Sequence, residues 1–517
     1  MSPVQPQSVQ AIANCLPNSK LFGSGKAIVT GVATDSREVL PGDLFACIPG
    51  EHYDGHLFAQ QALSGGAAAL LVEKQLPNIM VDQIIVPKVR PVLPQVCELL
   101  YGLPSREMTT IGVTGTDGKT TTCFYLEHIL KKAELPTAVS TTVGERIGNG
   151  ELRYIGRTTP EAPALQGFLR KVVDSGSRYG VIEVSSHGLA LGRVERLYLD
   201  GVIFTNLSRD HLDLHQDMEE YFRVKLDILR LLKSKNSFVT ANMDCDYGRE
   251  FISIASKDFP CFGFTVTGQA PPTEETPTGS LSGLLQAKDI RLTFGSIRAR
   301  LVFGEQDTEV EIPALGMINL YNGLSAISGA LALGIELNQI AEFMASAPAP
   351  PGRLQPIYLG QPFTVFVDYA HAPESLSKVL TTVSESTPTA RRIITVFGAT
   401  GRRDVGKRAI MGEVATRLSD FAIITTDDPY DEDPLEIALD IASGAEASEA
   451  KEHEDYEIIL DRRQAIASAL HRAHHGDVVI IAGKGHEPYI VTGEGKIPFR
   501  DADVTEELLR EMGWGKK

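Results

Sequence analysis

Short apolar runs alternate with longer amphipathic segments along most of the chain, and this pattern predicts two open sheets. The first series of runs stands at 111–113, 180–184, 201–205 and 237–240. The second series stands at 363–368, 392–397, 421–425 and 478–482. Strands that alternate with helices are typical of a mostly parallel sheet with helices on both faces. Because such sheets bind ligands beyond the carboxyl ends of their strands, we expect the functional residues in the loops after these runs.

Clusters of proline and glycine divide the chain into three predicted domains. One cluster lies between residues 91 and 104, and another at 345–352. Apolar runs at 27–30 and 67–72 predict short strands before the first boundary. Residues 265–280, rich in proline and acidic side chains, predict a surface excursion between strands. The predicted domains are residues 1–107, 108–347 and 348–517.

The length and composition indicate what kind of protein this chain is. A chain of 517 residues is too long for one hydrophobic core, and 43% hydrophobic with 22% charged residues is ordinary for a globular protein. The net charge of -17 argues against nucleic acid as a partner, so a bound nucleotide needs local basic groups.

The cysteines and the N-terminal residues predict the cellular compartment of the protein. Six cysteines stand without CxxC pairs, which predicts free thiols in a reducing compartment and no zinc site. The first residues lack the regions of a signal peptide, and no apolar run approaches the ~20 residues that span a bilayer. We therefore expect a cytoplasmic protein without a membrane partner, and we take it to be a monomer.

The segment 112–122 predicts a phosphate-binding loop. It reads Gly-Val-Thr-Gly-Thr-Asp-Gly-Lys-Thr-Thr-Thr between an apolar run and a helical segment, and it is more compact than the general nucleotide-loop pattern. In such a loop glycines let the backbone approach a polyphosphate, the helix N-terminus attracts the anion, a lysine adds a cation and a hydroxyl reaches Mg²⁺. The alternative is a glycine-rich turn before an ordinary helix. The residues assigned to nucleotide binding are Gly115, Thr116, Asp117, Gly118, Lys119, Thr120 and Thr121.

Two polar segments that follow successive apolar runs predict a metal site. Glu183 closes one run, and the segment 206–215 after the next run contains Asp210, His211 and Asp213. Carboxylate oxygens with an occasional imidazole are suitable ligands for Mg²⁺. Taken alone, such a loop is more often solvated polar surface. The neighbouring phosphate loop favours the metal site.

The segment 218–233 predicts a helix with a lysine on its apolar face. Phe222, Leu226 and Leu229 follow helical spacing, and Lys225 lies on the same stripe. One interpretation is a lysine whose stem packs while its ammonium group reaches water. The other is a buried amine of lowered pKa. Such an amine is able to add CO₂, and the resulting carbamate anion would suit a second Mg²⁺.

These segments together resemble the Mur ligases, which join amino acids to a cell-wall precursor. The resemblance rests on Gly-Thr-Asp-Gly-Lys-Thr-Thr-Thr, Glu-Val-Ser-Ser-His-Gly, Asn-Leu-Ser-Arg-Asp-His-Leu-Asp and Tyr-Phe-Arg-Val-Lys. Within the family it is similar to the MurE type, which adds the third residue of the peptidoglycan stem peptide. The resemblance implies an α/β fold of three domains: a small N-terminal domain, a central P-loop-type ATPase domain with a parallel sheet, and a C-terminal Rossmann-like domain.

The same resemblance implies cofactors and catalytic residues. It implies ATP and Mg²⁺, with catalytic roles for Lys119, Lys225 and His211. It also implies that Thr120, Glu183 and His211 take part in Mg²⁺ binding, together with a carbamate on Lys225.

Further matches imply substrate contacts. Ser36, in Thr-Asp-Ser-Arg, lies in the part that resembles the domain gripping the uridine diphosphate of the substrate. The residues matched to contacts with the muramoyl-dipeptide part are Thr158, Thr159, Ser185 and Arg193. The residues matched to contacts with adenosine and the γ-phosphate are Asn322, Arg353, Asp368 and His371. One departure is Leu191, which stands where the family usually has a glutamine.

The third domain is expected to bind the incoming amino acid. Arg403 matches the arginine that holds its α-carboxylate, and Gly483 and Glu487 match residues that line the pocket. Members that use meso-diaminopimelate carry Asp-Asn-Pro-Arg, whose arginine holds the distal carboxylate by a paired hydrogen-bond fork. The corresponding loop here has Asp427, Asp428 and Tyr430. A tyrosine cannot supply that fork.

The acidic loop favours a cationic side-chain tip on the amino acid. L-lysine is the leading expectation, and L-ornithine follows it. Diaminopimelate stays open if Arg402, Arg403 or Arg408 replaces the missing fork. A solvated acidic turn is the simpler interpretation of the same residues.

The resemblance therefore implies an ATP-dependent amide ligase that extends UDP-N-acetylmuramoyl-L-alanyl-D-glutamate through an acyl phosphate. Its predicted partners are this UDP-MurNAc-dipeptide and a free diamino acid. The alternatives are a sister ligase that adds D-glutamate, a folate polyglutamate synthetase, a simple ATPase or GTPase switch, and a catalytically silent nucleotide-binding scaffold. The scaffold is expected to lack Lys119, Glu183, His211 or Lys225, and all four are present.

Overall fold

The structure is a computed structural model, and it describes residues 5–50, 53–209, 215–266, 281–293, 295–387 and 392–515. His211 and most of the predicted excursion at 265–280 therefore lie outside the described residues. Contacts divide the chain into two compact units. The first comprises Met1–Ala287, Val302–Gln306 and Leu324–Ile340, and the second comprises Lys288–Leu301, Asp307–Gly323 and Ala341–Lys517. Within the described ranges no helix is long and apolar enough to cross a bilayer.

The N-terminal hundred residues form a small α/β layer. Its strands are β1 (Gln7–Ser8), β2 (Lys20–Phe22), β3 (Ile28–Val29), β4 (Gly31–Ala33), β5 (Asp43–Ala46), β6 (Ala69–Val72) and β7 (Asp82–Ile85). Its helices are α1 (Val9–Cys15), α2 (Ala59–Ser64) and α3 (Leu93–Tyr101). The main sheet has the order β2-β7-β6-β5-β4, and β2 alone pairs antiparallel. Leu44 and Phe45 belong to different apolar clusters because successive strand residues face opposite sides of the sheet.

A ten-stranded sheet dominates the central part of the chain. Its strands are β8 (Thr109–Thr114), β9 (Thr137–Ser140), β10 (Glu145–Ile147), β11 (Tyr179–Glu183), β12 (Gly201–Phe204), β13 (Phe238–Asn242), β14 (Cys261–Thr265), β15 (Leu281–Thr293), β16 (Ser296–Phe303) and β17 (Gln306–Ile312). The helices are α4 (Lys119–Lys132), α5 (Ala162–Asp174), α6 (Ser186–Ala190), α7 (Met218–Leu226), α8 (Asp246–Ala255), α9 (Gly316–Ala332) and α10 (Leu337–Met344). The order is β10-β9-β11-β8-β12-β13-β14-β15-β16-β17. The pairs from β9 to β15 are parallel, as the alternation predicts.

A second open sheet forms the C-terminal part. Its strands are β18 (Gln355–Ile357), β19 (Thr364–Asp368), β20 (Ile393–Phe397), β21 (Phe421–Ile424), β22 (Tyr456–Ile458) and β23 (Val478–Ala482), with a separate hairpin β24 (Tyr489–Thr492) and β25 (Gly495–Pro498). The helices are α11 (Pro373–Ser386), α12 (Gly406–Leu418), α13 (Pro434–Ala447), α14 (Arg462–Arg472) and α15 (Asp501–Glu511). The order is β18-β19-β23-β20-β21-β22, and β18 alone pairs antiparallel. Apolar clusters cover both faces.

The segment 218–233, predicted to be one helix, is α-helical only over its first part. The α-helix ends at Leu226, and the next turn is a 3₁₀-helix over Asp227–Leu231. The far end of the segment binds another part of the chain, since Leu199 N–H donates to Leu231 O at 2.8 Å and Leu199 O accepts from Lys233 N at 2.8 Å. These bonds tie the end of the segment to the chain before β12.

Candidate active site

The phosphate loop joins the carboxyl end of β8 to α4. Gly118, with φ +82°, precedes the helix, and Gly115 has φ +146°. A Cβ at Gly115 would lie 2.0 Å from a threonine hydroxyl oxygen, so the approach of the two backbones requires glycine. Asn206, after the neighbouring β12, holds the loop. Its carbonyl accepts from Thr116 N at 2.9 Å and its side-chain oxygen accepts from Asp117 N at 3.0 Å.

Lys119 folds back over this loop. Its Nζ donates to Thr116 O at 2.7 Å and to Gly115 O at 3.2 Å. The ammonium group is therefore held where the loop backbone turns, at the N-terminus of α4. Thr121 is buried in the first turn of the same helix.

Glu183 and Thr120 meet at the end of β11. The hydroxyl of Thr120 donates to Glu183 Oε2 at 2.9 Å, and the carboxylate also accepts from Thr142 N at 2.9 Å. Glu183 is 2% exposed. A carboxylate and a hydroxyl that share one buried position fit the oxygen ligands that Mg²⁺ prefers. The third predicted ligand, His211, lies outside the described residues.

Lys225 lies beside the phosphate loop. Its Nζ donates to Gly115 O at 2.7 Å and stands 4.5 Å from the centroid of the Tyr221 ring. The residue is 1% exposed, so its ammonium group is enclosed by protein and does not reach the surface. The structure thus brings Lys119, Thr120, Glu183 and Lys225 together around one loop.

The residues matched to the muramoyl-dipeptide also form one connected group. Thr159 Oγ1 donates to Glu183 O at 3.0 Å and accepts from Ser185 N at 3.0 Å. Arg193 Nη1 donates to Thr159 O at 3.1 Å. Thr158 joins the same group, because its hydroxyl oxygen accepts from Thr142 Oγ1 at 2.9 Å.

Ser36 is separate from this group. Its hydroxyl donates to the side chain of Gln61 at 2.9 Å in the N-terminal layer. In the second unit, Asn322 is buried on α9, and its amide donates to Asn319 Oδ1 at 3.2 Å.

Three residues matched to the nucleotide lie close together at the end of β19. The carboxylate of Asp368 accepts from Leu354 N at 2.7 Å and from Ala370 N at 2.8 Å, and burial raises its pKa against the opposing influence of Arg353. Arg353 stands 5.1 Å above the Tyr369 ring. Burial also lowers the pKa of His371, whose Nδ1 lies 2.8 Å from Tyr369 O. These groups line the carboxyl edge of the second sheet, as predicted.

The residues matched to the amino-acid pocket form an acidic cluster around one buried lysine. Lys484 Nζ lies 2.8 Å from Asp428 Oδ1, 2.9 Å from Glu487 Oε2 and 3.5 Å from Asp427 Oδ1. Burial alone would lower the pKa of Lys484, but the three carboxylates raise it. Gly483, with φ +113°, precedes this lysine. With three carboxylates to one ammonium group, the cluster retains a negative charge that suits a ligand amine.

The three arginines that were left open as replacements for the missing fork have different environments. Arg402 pairs with Asp431, and Arg408, 3% exposed, pairs with Glu432 at 2.7 Å and Asp440 at 2.9 Å. Both guanidinium groups are therefore paired with acidic side chains of the segment before α13 or of α13 itself. Arg403 is exposed beside them.

Sequence reasoning missed residues that support the candidate site residues within each unit. They are Thr142, Tyr221 and Lys484. Lys484 follows β23, which was predicted, so the strand-end rule that selected Glu183 also applied to it. Thr142 follows β9, a strand that the apolar runs did not predict. Tyr221 carried no signal, since an aromatic residue on a helix is ordinary core.

Three family models match the chain. The Mur ligase family catalytic domain matches residues 28–107, the Mur ligase middle domain matches 113–330, and the Mur ligase glutamate ligase domain matches 352–485. The two domain boundaries placed after residues 107 and 347 remain predictions.

Curated relatives match almost the whole chain. The UDP-N-acetylmuramoyl-L-alanyl-D-glutamate–2,6-diaminopimelate ligase of Syntrophomonas wolfei is 38% identical over 93% of this chain and 95% of its own length. The ligase of the same name from Geobacillus thermodenitrificans is 36% identical over 97% and 99%. Both names specify diaminopimelate, so the leading expectation of L-lysine is not confirmed and the diaminopimelate alternative fits better.

Solved structures share the fold. A structure of a UDP-N-acetylmuramoyl-L-alanyl-D-glutamate–2,6-diaminopimelate ligase has a TM-score of 0.61 and 27% identity, covering 99% of this chain and 100% of that one. The MurF ligase of Thermotoga maritima in complex with ADP has a TM-score of 0.60 and 18% identity, covering 93% and 97%. These matches confirm the predicted three-domain α/β fold.

The comparisons also confirm the enzyme class. Mur ligases are ATP-dependent ligases that use Mg²⁺, and ATP and Mg²⁺ are the two cofactors that the sequence analysis expected. The two ligases named above are 38% and 36% identical to this chain and match more than nine-tenths of it. The chain therefore belongs to the Mur ligase family and, within it, to the MurE type.

Proposed function

We propose that this chain adds meso-diaminopimelate to UDP-N-acetylmuramoyl-L-alanyl-D-glutamate at the expense of ATP. The names of the curated relatives support this amino acid. One observation supports the reaction most directly: the Thr120 hydroxyl of the phosphate loop lies 2.9 Å from the buried Glu183 carboxylate. A loop hydroxyl beside a carboxylate suits a magnesium nucleotide.

The reaction has two steps. The free carboxylate of the dipeptide attacks the γ-phosphorus of ATP, and ADP leaves as an acyl phosphate forms. The amine of the amino acid then attacks the acyl carbon, inorganic phosphate leaves, and the amine loses its proton to water. Positioning and charge stabilisation supply most of the rate in such transfers.

The residues of the first unit serve the first step. Lys119, freed from the loop carbonyls, contacts the phosphates. Thr120, Glu183 and His211 hold Mg²⁺, which when bound offsets charge on the transferring phosphoryl group. We propose that the Lys225 amine is carbamylated and that this carbamate holds a second Mg²⁺ ion.

The residues of the second unit serve the nucleotide and the amine. Asn322, Arg353, Asp368 and His371 bind adenosine and the γ-phosphate. Arg403 holds the α-carboxylate of the amino acid, while the acidic cluster around Lys484 receives a ligand ammonium group.

L-lysine is the second candidate, and the pocket itself favours it. Tyr430 replaces the arginine fork, and Arg402 and Arg408 are paired with acidic residues. Because Arg403 is assigned to the α-carboxylate, none of those three arginines is left to bind a distal carboxylate. L-ornithine follows for the same reason.

We also propose a cytoplasmic location. All six cysteines are free thiols, which supports a reducing compartment.

A competition experiment tests the proposal. The protein receives ATP, Mg²⁺, UDP-MurNAc-L-Ala-D-Glu and equal concentrations of meso-diaminopimelate, L-lysine and L-ornithine, and mass spectrometry identifies the products. A dominant diaminopimelate product supports the proposal, and a dominant lysine product replaces it with the second candidate. Lys119→Ala serves as the inactive control. Nucleotide binding without product from any amino acid would instead indicate a catalytically silent scaffold.

A further inference from the structure

One buried carboxylate in the first unit is surrounded by three guanidinium groups. Glu161 accepts from Arg90 Nη1 at 2.7 and 2.9 Å and from Arg157 Nη1 at 3.2 Å, and it pairs with Arg193 Nε at 3.1 Å. The carboxylate side chain is only 11% exposed. Arg90 comes from the N-terminal layer, whereas the other residues belong to the central part of the chain.

The cluster has three guanidinium groups and only one carboxylate, so its net charge is positive. Three cations around one anion repel each other. Burial lowers the pKa of Arg193, Glu161 opposes this, and the charges of Arg157 and Arg90 lower the pKa further. Without Glu161, the three guanidinium groups would separate.

Arg90 is delivered by a rigid segment. It begins a 3₁₀-helix over Arg90–Val92 with Pro91 in its first turn, which fixes the local backbone. The preceding Val89 is fully buried, and its N–H donates to Glu73 Oε1 at 3.0 Å. The guanidinium group is therefore presented from a backbone with little freedom.

The cluster connects directly to the predicted dipeptide contacts. Arg193, which pairs with Glu161, also donates to Thr159 O at 3.1 Å. Thr159 Oγ1 in turn contacts Ser185 Oγ at 3.1 Å and Glu183 O at 3.0 Å. A short chain of ion pairs and hydrogen bonds thus runs from the N-terminal layer to the residues matched to the dipeptide and the metal.

We propose that Arg90 and Glu161 are a positioning pair through which the N-terminal layer orients Arg193 and Thr159 for the dipeptide end of the substrate. Neither residue contacts the reacting atoms. The inference depends on the proposed function, because it assumes that a UDP-linked muramoyl-dipeptide is the ligand. It predicts that the pair matters for ligands that carry the dipeptide and not for UDP-MurNAc alone.

Titration calorimetry with UDP-MurNAc and with UDP-MurNAc-L-Ala-D-Glu tests this prediction. In Arg90→Met the Kd of the dipeptide ligand should rise roughly tenfold, while the Kd of UDP-MurNAc stays the same. Glu161→Gln should give the same selective loss. Arg90→Lys, which keeps the charge, should recover part of the affinity and provides a folded variant if the neutral one is unstable.

Arg196→Met is the matched control. Arg196 pairs with Glu98 of α3 and thus forms another ion pair between the same two parts of the chain. Its loss should leave both Kd values unchanged. Equal weakening of both ligands in Arg90→Met, or no weakening of either, would overturn the inference. If the wild-type protein binds UDP-MurNAc-L-Ala-D-Glu no better than UDP-MurNAc, the proposed function fails instead.

Discussion

Two lysine ammonium groups share one backbone oxygen in the phosphate loop. Gly115 O accepts from Lys225 Nζ at 2.7 Å and from Lys119 Nζ at 3.2 Å. Two cations this close in a buried place repel each other. Carbamylation of Lys225 would turn one cation into an anion and remove the repulsion.

Lys225→Ala should therefore lower the rate of ADP release by roughly 10²–10³-fold, since it removes a charged group next to the transferring phosphoryl group. A short carboxylic acid such as acetate, added to the assay, should restore part of the rate. Arg223→Ala, on the exposed side of the same helix, is the control and should keep full activity. Full activity in Lys225→Ala would exclude the carbamate.

Tyr430 is the residue at which amino-acid selectivity is best tested. It has φ +53°, and its N–H donates to Val491 O at 3.0 Å, so the backbone places this side chain next to the hairpin of β24 and β25. Tyr430→Arg restores the guanidinium fork without adding a new backbone strain. The ratio of kcat/KM for diaminopimelate to that for L-lysine should rise roughly tenfold.

Tyr358→Arg adds the same charge at an exposed position and should leave this ratio unchanged. An unchanged ratio in Tyr430→Arg would show that the distal carboxylate is recognised elsewhere.

The helices α14 and α15 are joined by a fully buried ion pair. Arg462 donates to both carboxylate oxygens of Asp501 at 2.7 Å, and its remaining donors reach Ala482 O at 2.9 Å and Thr426 O at 3.3 Å. These carbonyls immediately precede Gly483 and Asp427. The pair therefore fixes the ends of the strands that carry the acidic pocket.

Arg462→Met should destabilise the second unit by about 3–5 kcal/mol, because it leaves Asp501 buried without a partner. The neighbouring Arg463 joins the same two helices through Glu507 and Glu511 at the surface. Arg463→Met should cost at most about 1 kcal/mol. Hydrogen exchange in α14 and α15 measures both effects locally, and equal protection in the two variants would contradict the expectation.

The β9–β10 hairpin should make the stability of the first unit depend on pH. Burial raises the pKa of Glu145 from 4.5 to about 7, although a hydrogen bond from Ser140 opposes this. Between these values the folded state keeps a proton that the unfolded chain has released. Stability should therefore fall as pH rises from about 4.5 to 7 and stay lower above it.

Denaturation midpoints between pH 4.5 and 8 measure this effect. Glu145→Gln should flatten the decline, since the amide does not titrate. Glu151→Gln, at an exposed position near the hairpin, should retain the wild-type profile. A decline of the same size in Glu145→Gln would assign the effect to another group.

At the scale of the whole molecule, local patterns predicted the sheets and the phosphate loop because strand period, glycine placement and loop position are properties of adjacent residues. Lys225 was found because a lysine on an apolar stripe is unusual. The pair of Arg90 and Glu161 was missed, since the partners are distant in sequence and each is ordinary alone. The end of this helical segment was missed for the same reason, because its last residues bind the distant Leu199.

The phosphate loop and the acidic cluster consist of different residues, and this predicts that the two chemical steps can be separated. The phosphate loop and Glu183 lie in the first unit, while Glu487 and Lys484 lie in the second. Hydroxylamine, added in place of the amino acid, should trap the acyl phosphate as a hydroxamate that mass spectrometry detects. Glu487→Gln should keep hydroxamate formation while losing amide formation, because it removes part of the acidic cluster that receives the amine.

Thr120→Ala should lower both products together, since activation precedes amide formation. If Glu487→Gln abolishes the hydroxamate as well, the pocket is required for activation, and the amino acid must bind before the phosphoryl group moves. If the wild-type protein forms the amide but never the hydroxamate, no acyl phosphate accumulates within reach of a nucleophile from solution. The two-step reaction would then be replaced by one in which the amine is already in place when the carboxylate is activated.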